Sequence, residues 1–237
     1  MKNKNKLWLS QVAANIPNDR PIIFWDTCAL VDVARIPHST KKFTLQNLEQ
    51  YEQIAQWIEE GRVISLTSDV VSGEFDAHYS DEYAAMVAEQ TKRKNQIKEF
   101  TQYLLNAAKR YKIETTVDQL NIQNRFGMLT NKICKNTTIM RHEGEYVRFA
   151  DYRTRKKMAP AYNKGEYKDC YIWGTFMAVL KRLHPTNLCY FITTNPRDYM
   201  QGNATTTQIV ADCNSVNGNI TFHIGELYSK LNHALNP

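Results

Sequence analysis

An α/β fold built on a mostly parallel sheet is predicted by three observations. Short apolar runs of strand length recur at residues 21–25, 62–67, 188–192 and 220–224. Longer stretches with helical spacing separate them, the alternation that produces parallel strands joined by helices. Internal repeats, which would indicate a solenoid or propeller instead, are absent from the 237 residues.

Pro21-Ile22-Ile23-Phe24-Trp25 ends at Asp26 and reads as a buried strand. Thr44 is suited to cap the first long helix. Asn47 is not the Glu or Gln of a capping box, but Phe43 and Leu48 have the spacing of a hydrophobic staple. Leu48, Tyr51, Ile54, Ala55 and Ile58 keep helical spacing until Gly61 stops the run. Residues 62–67 read as the second strand, with a helix following from about 68. Residues 81–112 are helical in pattern, rich in Lys, Gln and Glu and free of Gly and Pro. A further helix is expected over 117–133. Residues 136–163, polar, basic and Pro-containing, are expected to be irregular. Residues 167–183 are amphipathic, with Trp173, Phe176, Met177, Leu180 and Leu183 on one face. Residues 188–192 and 220–224 are the remaining strands, and 226–235 the last helix. The expectation is one domain over 1–237, with a helical insertion or lobe at about 81–160.

Hydrophobic residues at 43% and charged residues at 23% describe an ordinary globular protein. The longest mostly apolar stretch, 170–180, is too short to span a bilayer, and the basic start lacks the apolar core of a secretory signal. A cytoplasmic protein without membrane contact is expected. Thirty Lys and Arg against 24 Asp and Glu leave a net charge of +6, which favours a polyanionic partner such as nucleic acid. The five cysteines contain no Cys-x-x-Cys and indicate neither a zinc ribbon nor a disulfide framework. There is no G-x-G-x-x-G, no Gly-Lys pair to end a phosphate-binding loop, no HExxH and no Gly-x-Ser-x-Gly. Nucleotide-cofactor, zinc-hydrolase and serine-hydrolase chemistries therefore lack their motifs.

Acids, by contrast, fall where ligands collect in parallel α/β sheets, at the carboxyl ends of strands. Asp26 follows the first strand, Glu74 lies early in the helix after the second, and Asn195 and Asp198 follow the strand ending near Ile192. Asp169 opens the helix leading into that strand. Glu74 shares a helix side with Val70 and Val71, and Asp169 one with Trp173, where a carboxylate is costly unless something positive meets it. Taken singly, each acid also has a structural reading: a helix-dipole partner for Asp169, a buried hydrogen-bonded group for Glu74, a turn residue for Asp26. Convergence of all of them on one rim favours an oxygen-ligand site for Mg²⁺ or Mn²⁺ over zinc.

Four segments resemble the motifs of the PIN-domain nucleases, in order: PIIFWDTCALVDV, SLTSDVVSGEF, GEYKDCYIW and CYFITTNPRDY. The resemblance runs from about residue 22 to 199. It implies a three-layer PIN-like α/β fold and metal-dependent cleavage of RNA, or less often DNA, as an endonuclease and most readily an endoribonuclease. It further implies Asp26, Glu74 and Asp169 as the acidic core holding Mg²⁺ or Mn²⁺, with Asp198 or Asn195 at the fourth ligand position. Thr27 and Thr193 would orient the acids or the substrate by hydrogen bonds. The chain departs from the pattern in its long middle segment and in Asn195, which stands where many relatives have an Asp. That departure leaves open a catalytically inactive nucleic-acid- or protein-binding module.

The chemistry requires no general-base histidine, and His78, one turn after Glu74, reads as a surface or packing residue. Phosphatase chemistry at Asp26 would need a second Asp at position 28, which is Cys28. Cys28 or Cys170 as a nucleophile lacks an adjacent His. For the partner, single-stranded or structured RNA is expected, with a protein inhibitor or larger complex as a further candidate. Residues 146–157 carry Arg148, Arg153, Arg155, Lys156 and Lys157 among Tyr146, Phe149 and Tyr152, a mixture suited to single-stranded nucleic acid. A second basic stretch lies at 92–112.

Overall fold

The main sheet is made of β1 (Lys6–Leu7), β2 (Ile22–Trp25), β3 (Ile64–Ser68), β4 (Thr138–Met140), β5 (Cys189–Ile192) and β8 (Gly218–Thr221). The structure, a computed structural model, describes residues 1, 4–35, 44–108, 122–162, 166–183 and 187–236. Strand order is β1-β4-β3-β2-β5-β8, and each pairing is parallel. β2 is bracketed by β3 and β5, with Phe24 level with Leu66 on one side and Phe191 on the other. All four residues of β2 and of β5 are buried, as expected of parallel strands covered on both faces. Because every strand runs the same way, their carboxyl ends share one rim. A small antiparallel hairpin, β6 (Met200–Gln201) and β7 (Ala204–Thr205), stands beside the sheet.

The helices of the described residues are α1 (Leu9–Asn15), α2 (Thr27–Arg35), α3 (Leu45–Glu59), α4 (Asp69–Ala108), α5 (Ile122–Asn136), α6 (Gly144–Arg155), α7 (Tyr167–Leu180), α8 (Thr207–Ser215) and α9 (Ile224–Leu235). Together with the sheet they give the α/β fold read from the sequence. Thr44 caps α3 by accepting from the Asn47 N–H at 3.0 Å. Gly61, at φ +69°, turns the chain from α3 into β3. The Phe43 side of the expected staple lies outside the described residues, as does the segment 109–121.

Several elements differ from the sequence reading. α4 is one helix of 40 residues where two were expected, because neither Gly nor Pro interrupts it after Gly73. Residues 136–163 are not irregular: they contain β4 and α6. β4 has three residues, too few for an alternating pattern to emerge, and the inward positions of α6 (Tyr146, Ala150, Arg153) are masked by a basic residue among them. β4, within the segment expected to form a helical lobe, is an inner strand of the sheet, paired with β1 and β3. α7 is buried on every side from Cys170 to Leu180 rather than along one stripe. The reason is α6, which packs along its outer face. A Cβ at Gly174 would stand 2.8 Å from the Phe149 ring, so the missing side chain is what lets the two helices close.

One buried ion pair ties these layers together. Arg153 is 5% exposed, and its Nη2 reaches both carboxylate oxygens of Asp212 on α8 at 2.7 and 2.6 Å. Its Nη1 donates to the Ala159 carbonyl, and the Trp173 indole donates to Asp212 at 2.7 Å. Removing one partner of such a pair leaves the other charge buried without compensation. Asp212→Ala is therefore expected to lower the unfolding free energy by about 3 kcal/mol in urea denaturation. Arg155→Ala, which breaks an exposed pair with Asp151, is expected to change it by less than about 0.5 kcal/mol. Equal losses in the two variants would contradict this assignment of the strut.

Candidate active site

The site begins at the end of β2. The backbone N–H of Asp26 extends the parallel ladder by donating to the Ile192 carbonyl at 3.0 Å, which fixes the residue at the rim. Its carboxylate is 3% exposed and accepts from the Thr27 N–H at 2.7 Å and the Thr193 hydroxyl at 2.6 Å. Thr27 opens α2, and its hydroxyl donates to Glu74 at 2.7 Å. The other oxygen of Glu74 accepts from Lys168 at 2.8 Å, so α2, α4 and α7 are linked through one carboxylate.

Past β5 the chain makes a short 3₁₀ turn, Pro196–Asp198, that carries Asp198 at 7% exposure. Asn195 and Asp198 are hydrogen-bonded to each other, the amide donating to Asp198 Oδ2. The Asn195 N–H in turn donates to the Thr193 hydroxyl at 3.1 Å. Asn195 and Asp198 thus stand side by side in the structure. A cleft of about 790 Å³ opens here, walled by Asp169, Glu166, Asn195, Asp198, Arg197 and Tyr162, with the hairpin at its lip. Tyr162 closes that lip by donating to the carbonyls of Arg197 and Met200. Asp26 and Glu74 are not among the residues that line the cleft.

Charge crowding is the main electrostatic feature. Burial pushes the Asp26 acid up to about 6, against the hydrogen bonds from Thr193 and Thr27, with the charges of Glu74 and Asp198 adding to the rise. Asp169 is pushed up to about 8 by burial and then by the charges of Asp26, Asp198, Glu166 and Glu74. Tyr199, fully buried, has a hydroxyl with no hydrogen-bond partner among the described residues and lies in the field of Asp26, Asp169 and Asp198. Burial, followed by the charges of Asp26, Asp169, Asp32 and Glu74, raises Cys28 to about 12, and burial raises Cys170 to about 11, which keeps both as thiols.

PIN domain is the description of the family model that matches residues 23–199. The chain belongs to the PIN-domain family. Its members are generally nucleases and typically use divalent metals, and the family points to nucleic acid as partner. No curated protein and no solved structure matches the chain significantly. None of the helices among the described residues is long and apolar enough to cross a membrane.

A hard divalent cation fits the chemistry of this PIN-domain site. The donors are all carboxylate or amide oxygen, two acids are raised by burial and then by the charges of their neighbours, and the buried Tyr199 hydroxyl has no partner among the described residues. Their present positions do not form a ready cage: among the described residues no group of three or more His, Cys, Asp or Glu is placed to hold a metal ion. The reason is visible in the hydrogen bonds. The oxygens of Asp26 and Glu74 face Thr27, Thr193 and Lys168, and one of Asp198 faces Asn195.

The basic segment 146–157 is divided by the fold. Arg153 is buried in its pair with Asp212, unlike the exposed cations expected beside it. Its polar partners lie on α8 and the 159 loop, which no local pattern could announce. Tyr146 is buried as well, whereas Arg148, Arg155, Lys156 and Lys157 are exposed. Lys168 and Tyr162 were not singled out from the sequence. Their partners lie 94 and 35 or more residues away, so no spacing signals them.

The raised acids make a pH prediction. An ordinary Asp loses its proton near 3.8, so the folded protein holds a proton at Asp26 up to about 6 and at Asp169 up to about 8 that the unfolded chain has released. Stability from these groups is therefore fully present below that ordinary value and is lost as pH rises through the folded values. In EDTA, the melting temperature is expected to fall between about pH 5 and pH 8, and the fall to be smaller in Asp169→Asn. Identical pH dependence in the two proteins would remove Asp169 from the crowded set.

Proposed function

We propose that the protein is a metal-dependent endonuclease, most readily an endoribonuclease, hydrolysing phosphodiester bonds in the cytoplasm. The observation that carries this reading is the crowding of Asp26, Glu74, Asp169 and Asp198 at the carboxyl rim beside an open cleft, with two of the acids held at raised pKa. Asp26, Glu74, Asp169 and Asp198 would hold Mg²⁺ or Mn²⁺, with Asn195 beside Asp198. Bound there, such an ion supplies a Lewis acid for the phosphate and lowers the pKa of a water.

Around it, each side chain has a part. Thr193 and Thr27 fix the rotamers of Asp26 and Glu74 through hydrogen bonds of 2.6 and 2.7 Å. Asn195 holds Asp198 and is itself held by Thr193. Lys168 neutralises Glu74 and, 65% exposed, has the reach to meet a substrate phosphate once Glu74 faces a metal. Tyr162 fixes the lip that bounds the cleft. No histidine is required for proton transfer.

A second reading, a nucleic-acid-binding module without turnover, is favoured by one observation: three donors are not assembled around a common point. A cleavage assay on labelled RNA and DNA with Mn²⁺ or EDTA separates the two, because only the nuclease produces metal-dependent fragments.

Asp26→Asn, Glu74→Gln and Asp169→Asn are each expected to lower single-turnover cleavage by more than the roughly 10–100-fold typical of losing a residue that only orients a ligand. Near-wild-type turnover in any of them would remove that residue from the site. Asp198→Asn is expected to cost more activity than Asn195→Ala, since a carboxylate binds a hard cation better than an amide. The reverse order, measured at saturating Mn²⁺, would make Asn195 the ligand.

A further inference from the structure

The carboxyl rim does not end at the acids. From β2 it continues through β3 and β4 to β1, three steps of about 4.8 Å, or roughly 14 Å. Asp69 follows β3, Arg141 and His142 follow β4, and Trp8 follows β1. The Arg141 guanidinium lies over the Trp8 ring at 4.2 Å from its centroid, and Trp8 is 42% exposed although it is a large aromatic. One face of the indole is thus covered by the guanidinium, while the side chain as a whole stays open to solvent.

Both cations and acids surround this pair. Among the described residues Arg141 and Arg148 have no carboxylate within ion-pair distance, and Arg148 Nη1 lies 3.5 Å from where a Cβ on Gly144 would stand, beside the loop after β4. Lys6 stands two residues before Trp8, and the exposed His142 directly follows Arg141. The acids nearby are engaged. Asp69 meets Lys6 at 3.8 Å and the Tyr171 hydroxyl at 3.2 Å, Glu143 accepts from the Leu9 N–H at 2.7 Å, and Glu145 meets Arg182 at 3.3 Å. The patch also adjoins the acidic site directly. Tyr171, which meets Asp69 and His142, is one turn along α7 from Lys168, and Asp69 stands at the start of the helix that carries Glu74.

We propose that Trp8, Arg141 and Arg148 form a docking track for single-stranded nucleic acid, one that holds the strand leading to the acidic site. The inference rests on the nuclease reading for the identity of the strand. Trp8 with Arg141 offers a flat cationic stack for a base, and the guanidinium N–H groups of Arg141 and Arg148 face the phosphates. Single strands fit better than duplex, because a base must leave its pair to lie on the indole. The binding segment is thus assembled from the first residues of the chain and the loop after β4, rather than from one basic stretch.

The test is fluorescence anisotropy of labelled single-stranded RNA and DNA oligonucleotides in EDTA, over a series of salt concentrations, with the full chain. Arg141→Ala with Arg148→Ala is expected to make the slope of log affinity against log salt shallower by about 0.7 for each phosphate no longer neutralised. Trp8→Ala is expected to weaken binding on the order of tenfold with the slope unchanged, and Trp8→Phe to restore most of it. Because Trp8 precedes α1, circular dichroism accompanies each variant. Should Trp8→Ala unfold, Trp8→Phe against the arginine pair carries the comparison. Wild-type binding that the arginine pair leaves unaltered in both affinity and slope would overturn the track while leaving the nuclease reading intact. A wild-type protein that neither binds a single strand nor cleaves one would overturn both. Equal affinity for duplex and single strand, unaffected by Trp8→Ala, would overturn the stacking role.

Discussion

Burying the Asp26 carboxylate at the end of the central strand is the constraint on which the surrounding architecture turns. At 3% exposure that charge cannot rely on water, so the protein must supply its partners. Two hydrogen bonds do so, one from the next residue and one from Thr193 across the sheet. Those bonds lower the pKa, and yet burial keeps it near 6. The remaining imbalance is negative charge, shared with Glu74, Asp198 and Asp169. A divalent cation is the simplest chemical answer to such an imbalance.

Rigid support for the acids comes from two layers. Behind them, Trp173, Phe176, Phe191 and Tyr199 form an aromatic cluster with ring centroids 5.1–5.7 Å apart. This packing holds α7 against β5 and so sets where Asp169 and the turn bearing Asp198 approach one another. Beside them, Arg153 and Asp212 fasten α6, the loop before α7 and α8. Tyr162 then extends the same loop to the cleft lip. A basic residue that composition would assign to nucleic acid is thus used to shape the site. The exposed cations, including Arg141, remain for the solvent face.

The acids were legible in the sequence because they sit at element boundaries. A strand that is apolar at every position and ends in Asp-Thr, a helix opened by an acid and a strand ending before Thr193 are local patterns, fixed by burial and by the chain's direction. The central strands were legible for the same reason: β2 and β5 have no polar face. β1 and β4, of two and three residues, carry too little pattern to be read, and α6 hides its inward face behind Arg153. α4 was read as two helices, whereas it runs on as one because neither Gly nor Pro interrupts it after Gly73.

By itself the sequence determined the alternation of strands and helices, the positive charge, and which carboxylates stand at strand ends, since each depends on residues within a few positions of one another. Tertiary structure alone decided the rest. It turned Asp26 and Glu74 toward hydroxyl and ammonium donors, joined Asn195 to Asp198, buried Arg153 and left Trp8 under Arg141 at the rim. Each of these joins side chains whose elements meet only once the sheet is assembled, even where the residues are three apart. The physical reason is that a side chain's partner depends on desolvation and on the approach of neighbouring elements. Neither quantity exists until the chain has folded.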